Sequence, residues 1–566
     1  MPLVAVESLS YTYPGAVEPA LSGITLSVEP GEYIAVVGAN GSGKSTLIRC
    51  LNGLIEPPPG TVLVDGFDPA EPAGRVGARK ALSIVFQSPL DQIVASVVEE
   101  DVAFGLENLG VPYDDMHARV DEALSAVDLV SERRRSPRFL SSGQQQRLAV
   151  AGAWAMRPRI IAFDEATSMI DPNGRLSILR LMDELVASGI TVIHVTHDMD
   201  EAARAGRIIV LSDGRLVFDG APGRLFASET LVDYRLERPR SYEAALALGL
   251  EPSVGETAAQ LGARVALRMQ EDQTDGASIS AIMHSLDAAY GRTTAATSAA
   301  RLGEVAFSVR DASMSYHTES ADGHPAVQSA SIDIAAGSLV ALVGKTGAGK
   351  SSFLQLLDAL ALPDSGAVVS FGAATAAAST DLRALRMKAP LSVQRPESAI
   401  FETYVGDEAA FGPRNQGLRG AGLVGRVRSA LDAVGLPFDM YRDALCRTLS
   451  GGMKRRLALA SILSLEPDAL LLDEPTAALD PGTRREVLAL VLSYARQGRT
   501  VVLSTHSMDE AALADIVVVM RDGRIVASGP PDLVFGKGWD VSWGIDRPFA
   551  WALAAAIGQA RPEAVL

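Results

Sequence analysis

Cysteine is almost missing from this chain: Cys50 and Cys446 are the two among 566 residues. Two thiols exclude a disulfide framework, a cysteine-held iron–sulfur cluster and a four-cysteine zinc site. They fit buried free thiols in a reducing compartment. Long apolar runs are missing too. The best candidate, PFAWALAAAIGQA at 548–560, falls short of the ~18 residues a spanning helix needs. The mean hydropathy of +0.17 therefore comes from Ala and Val spread through ordinary helices and strands. Positive charge is in deficit, with 51 Lys and Arg against 68 Asp and Glu and a net charge of −17. That argues against a broad nucleic-acid-binding surface. The N-terminal MPLVAVESLSYTYPG has no basic stretch before an apolar core, so no secretory leader is expected. What is present, 48% hydrophobic and 21% charged residues, is the balance of a globular protein.

Length alone suggests three or four domains, but an internal repeat settles the organisation. GANGSGKS at 38–45 returns as GKTGAGKS at 344–351, and VFQSP at 85–89 as VQRP at 393–396. AFGLENLG at 103–110 returns as AFGPRNQG at 410–417, and LSSGQ at 140–144 as LSGGM at 449–453. DEATSMIDP at 164–172 returns as DEPTAALDP at 473–481, and THDMDEA at 196–202 as THSMDEA at 505–511. All six recur in order at offsets of 306 to 309 residues. The chain reads as a tandem duplication: a first domain at 1–250, an Ala/Ser/Thr-rich, partly helical linker at 251–302, and a second domain at 303–566. The linker holds six acids, four arginines and no lysine.

Each copy reads as α/β. IAVVG and LVALVG, IIAFDE and ALLLDE, TVIHVTH and TVVLSTH are short apolar runs of the kind buried parallel strands show. Alternation with helical patterns of 10–15 residues predicts a doubly wound sheet. A mostly helical insert is expected near 90–139 in the first copy.

The repeated motifs carry chemistry. GxxxxGK[ST] stands twice after a strand and before a helical pattern, the context that makes it a phosphate loop. Its backbone N–H groups and the following helix N-terminus favour phosphate. Lys44 and Lys350 are placed to reach the terminal phosphates, and Ser45 and Ser351 to offer a hydroxyl to Mg²⁺. Asp164–Glu165 and Asp473–Glu474 close apolar strands, where the crevice of an open α/β sheet lies. The first acid of each pair is placed to hold Mg²⁺ and the second to polarise an attacking water. His197 and His506 follow matched strands and are placed for a γ-phosphate contact. Gln87 and Gln394 are candidate neutral ligands to Mg²⁺ and the water.

Phosphate loop, LSGGQ-like signature, DE pair and switch histidine together resemble the ABC-type ATPases, over nearly all of 1–250 and 303–566. That resemblance implies two tandem P-loop domains. Each would have a RecA-like, mostly parallel sheet core, an antiparallel β subdomain and a helical signature subdomain. It implies head-to-tail pairing of the two halves, with ATP sandwiched between one phosphate loop and the opposite signature. Site one would comprise Tyr13 stacked on adenine, the loop Gly38, Ala39, Asn40, Gly41, Ser42, Gly43, Lys44, Ser45 and Thr46, then Gln87, Asp164, Glu165 and His197. Ser450, Gly451, Gly452 and Met453 would close it. Site two would comprise Tyr316, the loop Gly344, Lys345, Thr346, Gly347, Ala348, Gly349, Lys350, Ser351 and Ser352, then Gln394, Asp473, Glu474 and His506. Ser141, Ser142, Gly143 and Gln144 would close it. Asp171 and Asp480 would lie at the junction of the halves. A tyrosine in a strand is more often packing than ligand. Ser142 and Met453 depart from the family signature. Met453 loses an amide that donates and accepts, and this predicts two competent sites of unequal rate with site one the slower.

A narrower resemblance lies in QSPLDQIVASVVEEDVAFGLENLGVP (87–112), FETYVGDEAAFGPRNQG (401–417) and the RP-containing terminal helices at 236–249 and 545–558. These look like the ATPase pair of energy-coupling factor (ECF) transporters, fused here into one chain. The resemblance implies a peripheral protein on the cytoplasmic face of the membrane. It would energise a separate transmembrane scaffold subunit and a substrate-binding membrane subunit that imports vitamins, vitamin precursors or transition metals. The segments after Gln87 and Gln394 would receive the scaffold. Two other functions share the duplication: the fused ATPase of a sugar-type importer, and a soluble tandem ATPase acting on ribosomes. The acidic, lysine-free linker disfavours the ribosomal reading, and no nucleic-acid partner is expected.

Overall fold

The computed structural model describes residues 2–15, 18–168, 170, 172–271, 304–316, 325–393, 399–477 and 479–560. Gln394, Asp171 and linker residues 272–302 lie outside them. The chain forms two compact units. One takes in Met1–Leu246, Leu250–Glu256 and Asp480–Gly482, the other Ala247–Gly249, Thr257–Leu479 and Thr483–Leu566.

The strands of the first unit are β1 (Val4–Tyr11), β2 (Leu21–Val28), β3 (Tyr33–Val37), β4 (Val62–Val64), β5 (Leu82–Val85), β6 (Ile160–Asp164), β7 (Thr191–Val195), β8 (Arg207–Ser212) and β9 (Arg215–Gly220). A six-stranded sheet runs in the order β5-β6-β7-β3-β8-β9. It is parallel except for the β8–β9 hairpin. β2, β1 and β4 form a separate antiparallel sheet. Every residue of β3 is buried, as a strand covered on both faces requires. Its alternate residues serve two cores. Tyr33, Ala35 and Val37 join the helical insert through Val98, Val102, Leu124 and Leu148. Ile34 and Val36 join the antiparallel sheet and the helix Lys44–Asn52. The insert is built from helices Val98–Asn108 and Tyr113–Ala126, both packed on helix Ser142–Ala155.

The second unit repeats the plan. Its strands are β10 (Val305–Ser315), β11 (Pro325–Ala335), β12 (Leu339–Val343), β13 (Ser365–Ser370), β14 (Ala373–Ala374), β15 (Leu391–Ser392), β16 (Ala469–Asp473), β17 (Thr500–Ser504), β18 (Ile516–Arg521) and β19 (Arg524–Gly529). The central order is β15-β16-β17-β12-β18-β19, beside the antiparallel β11-β10-β13-β14. Helices Val405–Asn415 and Gly420–Ala433 pack against Gly451–Leu463. Helix Ala258–Glu271, which falls in the expected linker, lies against the terminal helix Phe549–Ala560. Both cysteines are buried, and burial pushes their thiols up to about 12 for Cys50 and about 11 for Cys446. At those values neither is a reactive thiolate. Among the described residues, no helix is long and apolar enough to cross a membrane.

Candidate ATP sites

In each unit the phosphate loop, the acid pair and the switch histidine lie at the C-terminal ends of neighbouring strands. In the first unit these are β3, β6 and β7, in the second β12, β16 and β17. The chain reverses its sheet order there, which is where open α/β sheets bind ligands. The first glycine of each loop has a positive φ, 146° at Gly38 and 151° at Gly344. A Cβ on Gly38 would stand 2.1 Å from the Leu211 carbonyl oxygen, and one on Gly344 2.2 Å from that of Met520. Only glycine fits that approach.

Lys44 and Lys350 begin the helices and are buried. Lys44 Nζ donates to the carbonyls of Gly38 (2.9 Å) and Ala39 (3.0 Å). Lys350 Nζ donates to Gly344 (2.8 Å) and Lys345 (3.1 Å). Burial pulls the Lys44 ammonium below its ordinary value, opposed by Glu165 and Asp164 nearby. Ser45 Oγ donates to Asp164 Oδ1 at 2.8 Å. Burial raises Asp164, and that hydrogen bond opposes the rise. Asp473 is raised by burial likewise, against hydroxyls of Ser504 and Ser351.

The second acids sit in a tight polar cluster. Glu165 Oε1 lies 2.5 Å from His197 Nε2, and its Oε2 accepts from Gln87 Nε2 at 2.9 Å. Glu474 Oε1 lies 2.8 Å from His506 Nε2. Burial pushes the Glu165 carboxyl up, but the adjacent His197 outweighs it, so Glu165 ends below the usual carboxylate range. Glu165 and Glu474 both have positive φ, 55° and 50°, a strained setting for a side chain with a Cβ and one that clusters at functional sites.

Tyr13 and Tyr316 lie past the ends of β1 and β10, not within a strand. Tyr13 is 39% exposed, with its hydroxyl 3.2 Å from Thr46 Oγ1. Tyr316 is 51% exposed, 3.1 Å from Ser352 Oγ. The signatures belong to the helical layer. Ser141 caps helix Ser142–Ala155 in a full capping box with Gln144. Ser450 caps Gly451–Leu463 and accepts the Met453 N–H at 3.3 Å, but Met453 has no amide oxygen to accept the Ser450 N–H in return.

Several residues that hold these sites were not singled out from the sequence. Glu201 accepts from Thr196 (2.6 Å), Thr167 (2.9 Å) and Arg175 Nε (2.6 Å). Glu510 accepts in the same way from Thr505 (2.7 Å), Thr476 (2.8 Å) and Arg484 Nε (2.6 Å). Each buried glutamate ties the histidine loop to the segment after the acid pair. The offset of 309 between the two sets was the available signal. Asp101 accepts the N–H groups of Val94 (2.8 Å) and Ala95 (2.9 Å). Glu408, 307 residues later, accepts those of Phe401 (3.1 Å) and Glu402 (2.9 Å). These carboxylates shape the segment after the glutamine.

Two copies of a phosphate loop facing an acid pair and a histidine define a nucleoside-triphosphatase with duplicated domains. The sequence matches the ABC transporter family over residues 21–168 and 327–477. A protein of Bifidobacterium longum assigned as an ABC transporter ATP-binding protein is 34% identical over 93% of this chain and 66% of its own length. One so assigned in Methanosarcina mazei is 33% identical over 94% of this chain and 90% of its own. An energy-coupling factor transporter ATP-binding protein of Symbiobacterium thermophilum is 47% identical over 43% of this chain and 88% of its own. The chain belongs to the ABC transporter ATP-binding family and carries two ABC ATPase domains in one polypeptide. It binds and hydrolyses ATP.

Proposed function

We propose that the chain is the motor of an ECF-type importer, with domains at 1–250 and 303–566 joined by the 251–302 segment. The observation that carries this reading is the 47% identity to an energy-coupling factor ATPase over 253 residues. The exposed apolar side chains of the segments named above support it. Leu90, Val94 and Phe104 are exposed in the first unit, and Phe401, Tyr404 and Phe411 in the second. Such patches rimmed by polar residues suit a membrane partner's helices. Substrate choice, among vitamins, vitamin precursors and transition metals, belongs to the membrane-embedded partner subunits, while this chain sits peripherally at the cytoplasmic face.

Each ATP is read as held by the loop of one half and the signature of the other, so that binding draws the halves together and hydrolysis parts them. Lys44 and Lys350 balance phosphate charge. Glu165, kept ionised beside His197, takes the proton of the attacking water, and Glu474 does so in the second site. Gln87 and the histidines orient the water and the γ-phosphate. The bonded hydroxyl–carboxylate pair Ser45–Asp164 is a hard-oxygen donor set that fits Mg²⁺, which takes few protein ligands beside substrate phosphates. Ser45, Gln87 and Asp164 would hold the ion in one site, and Ser351, Gln394 and Asp473 in the other. The ion supplies charge neutralisation on the phosphates.

The test is fractionation from the native host. The chain should pellet with membranes and co-purify with a multi-spanning protein. Sedimentation with ribosomes, or co-purification with a sugar-importer permease, would overturn the reading.

A further inference from the structure

We propose that Ser504 is a positioning residue of the second ATP site, fixing Asp473 and Glu474 in one arrangement through a single hydroxyl. The inference rests on the site reading above and deepens it. In the parallel pairing of β16 with β17, Asp473 stands opposite Ser504. Ser504 is fully buried. Its Oγ donates to Asp473 Oδ1 at 2.6 Å and accepts the Glu474 N–H at 2.9 Å. The direction of both bonds follows from chemistry, since an amide N–H only donates and the one hydroxyl proton goes to the carboxylate.

The first unit lacks this device. Asp164 stands opposite Val195, which offers no side-chain hydrogen bond. The Glu165 N–H goes to the Val195 carbonyl oxygen at 3.0 Å. Asp164 is oriented by Ser45, a residue that would itself turn a lone pair to Mg²⁺. In the second unit the acid keeps a donor from outside the ligand set. Hydrogen bonds to a ligating carboxylate fix its orientation and raise metal affinity. Ser504 therefore lowers the Mg²⁺ concentration the second site requires and holds Glu474 at its working position.

The experiment uses the full chain in a Lys44→Ala background, which removes nucleotide from the first site. Binding of the fluorescent nucleotide mant-ATP is titrated with Mg²⁺. Ser504→Val, which copies the first unit, should raise the half-saturating Mg²⁺ concentration about ten-fold, and Ser504→Thr, which keeps a hydroxyl, should restore it. Ser504→Ala reports the same loss if valine disturbs the strand. Parent-like titration of both the valine and alanine variants would overturn the role of Ser504. A Lys44→Ala/Lys350→Ala chain that still bound mant-ATP with Mg²⁺ dependence would instead overturn the site reading itself.

Discussion

The two units keep one set of positions fixed and let another drift. Loop glycines with the same backbone angles, an acid pair on a strained strand end and a histidine against the second acid recur in both. Their supports differ. Val195 corresponds to Ser504, Gln144 to Met453, and Gln146, which donates to the Phe86 carbonyl, to Arg455, which donates to the Ala477 carbonyl. Even the end of the phosphate-loop helix differs: Asn52 donates to the Leu82 carbonyl at 2.7 Å, while Asp358 at the matching position keeps a buried Oδ1 without a partner among the described residues. The duplicated units tolerate substitution where a neighbour can be exchanged, and not where one backbone closely approaches another, as at Gly38 and Gly344.

The sharpest way to break the comparison is to remove the proposed bases one at a time. Glu165→Gln and Glu474→Gln should each cut the activity of their own site by about 10²–10⁴-fold, the usual worth of a general base. The residual rate with Glu474→Gln, which leaves site one working, should be the lower. Equal residual ATPase rates would remove the asymmetry assigned to Met453. Next come the buried glutamates. Glu201→Ala leaves Arg175 without one of its two carboxylate partners and should cost about 3 kcal/mol, seen as a lower urea midpoint. Glu510→Ala should do the same, and an unchanged midpoint in either would show the network to be ornamental in that unit.

Asp358→Asn tests the helix-end difference through pH. Burial raises Asp358 from 3.8 to about 6. A carboxyl raised in the folded state contributes fully below its unfolded value and loses that contribution as pH rises through the folded one. At pH 8 the charged acid is therefore a burden, and the asparagine of the first unit should stabilise by about 1–2 kcal/mol. The gain should fade toward pH 4, and thermal melts across that window would show it. The smallest effect is expected from Met453→Gln, which restores the reciprocal bond of the capping box for about 0.5–1 kcal/mol. It should also raise the rate measured in the Glu474→Gln background. A rate unmoved by this change would separate helix capping from catalysis.

Much of this was legible early. Glycine spacing fixes a loop because no other residue survives at Gly38 or Gly344, and apolar pentads ending in acids can be little else than buried strands. The supports were less legible. Thr167, Arg175 and Glu201 look like ordinary polar residues until the β6 and β7 ends come together, and Ser504 looks like any serine in a strand. Tyr13 and Tyr316 read as strand residues, but the strands stop before them.

The sequence by itself determined the duplication, the α/β class of each unit and the residue types of the two glycine-rich loops, because those depend on period, spacing and local backbone geometry. Only the tertiary structure decided which carboxylate each hydroxyl, guanidinium and imidazole engages. Ser45 and its partner Asp164 lie 119 residues apart, and Thr167 and Glu201 34 apart, and hydrogen bonds depend on distance and direction in space, which chain order does not carry.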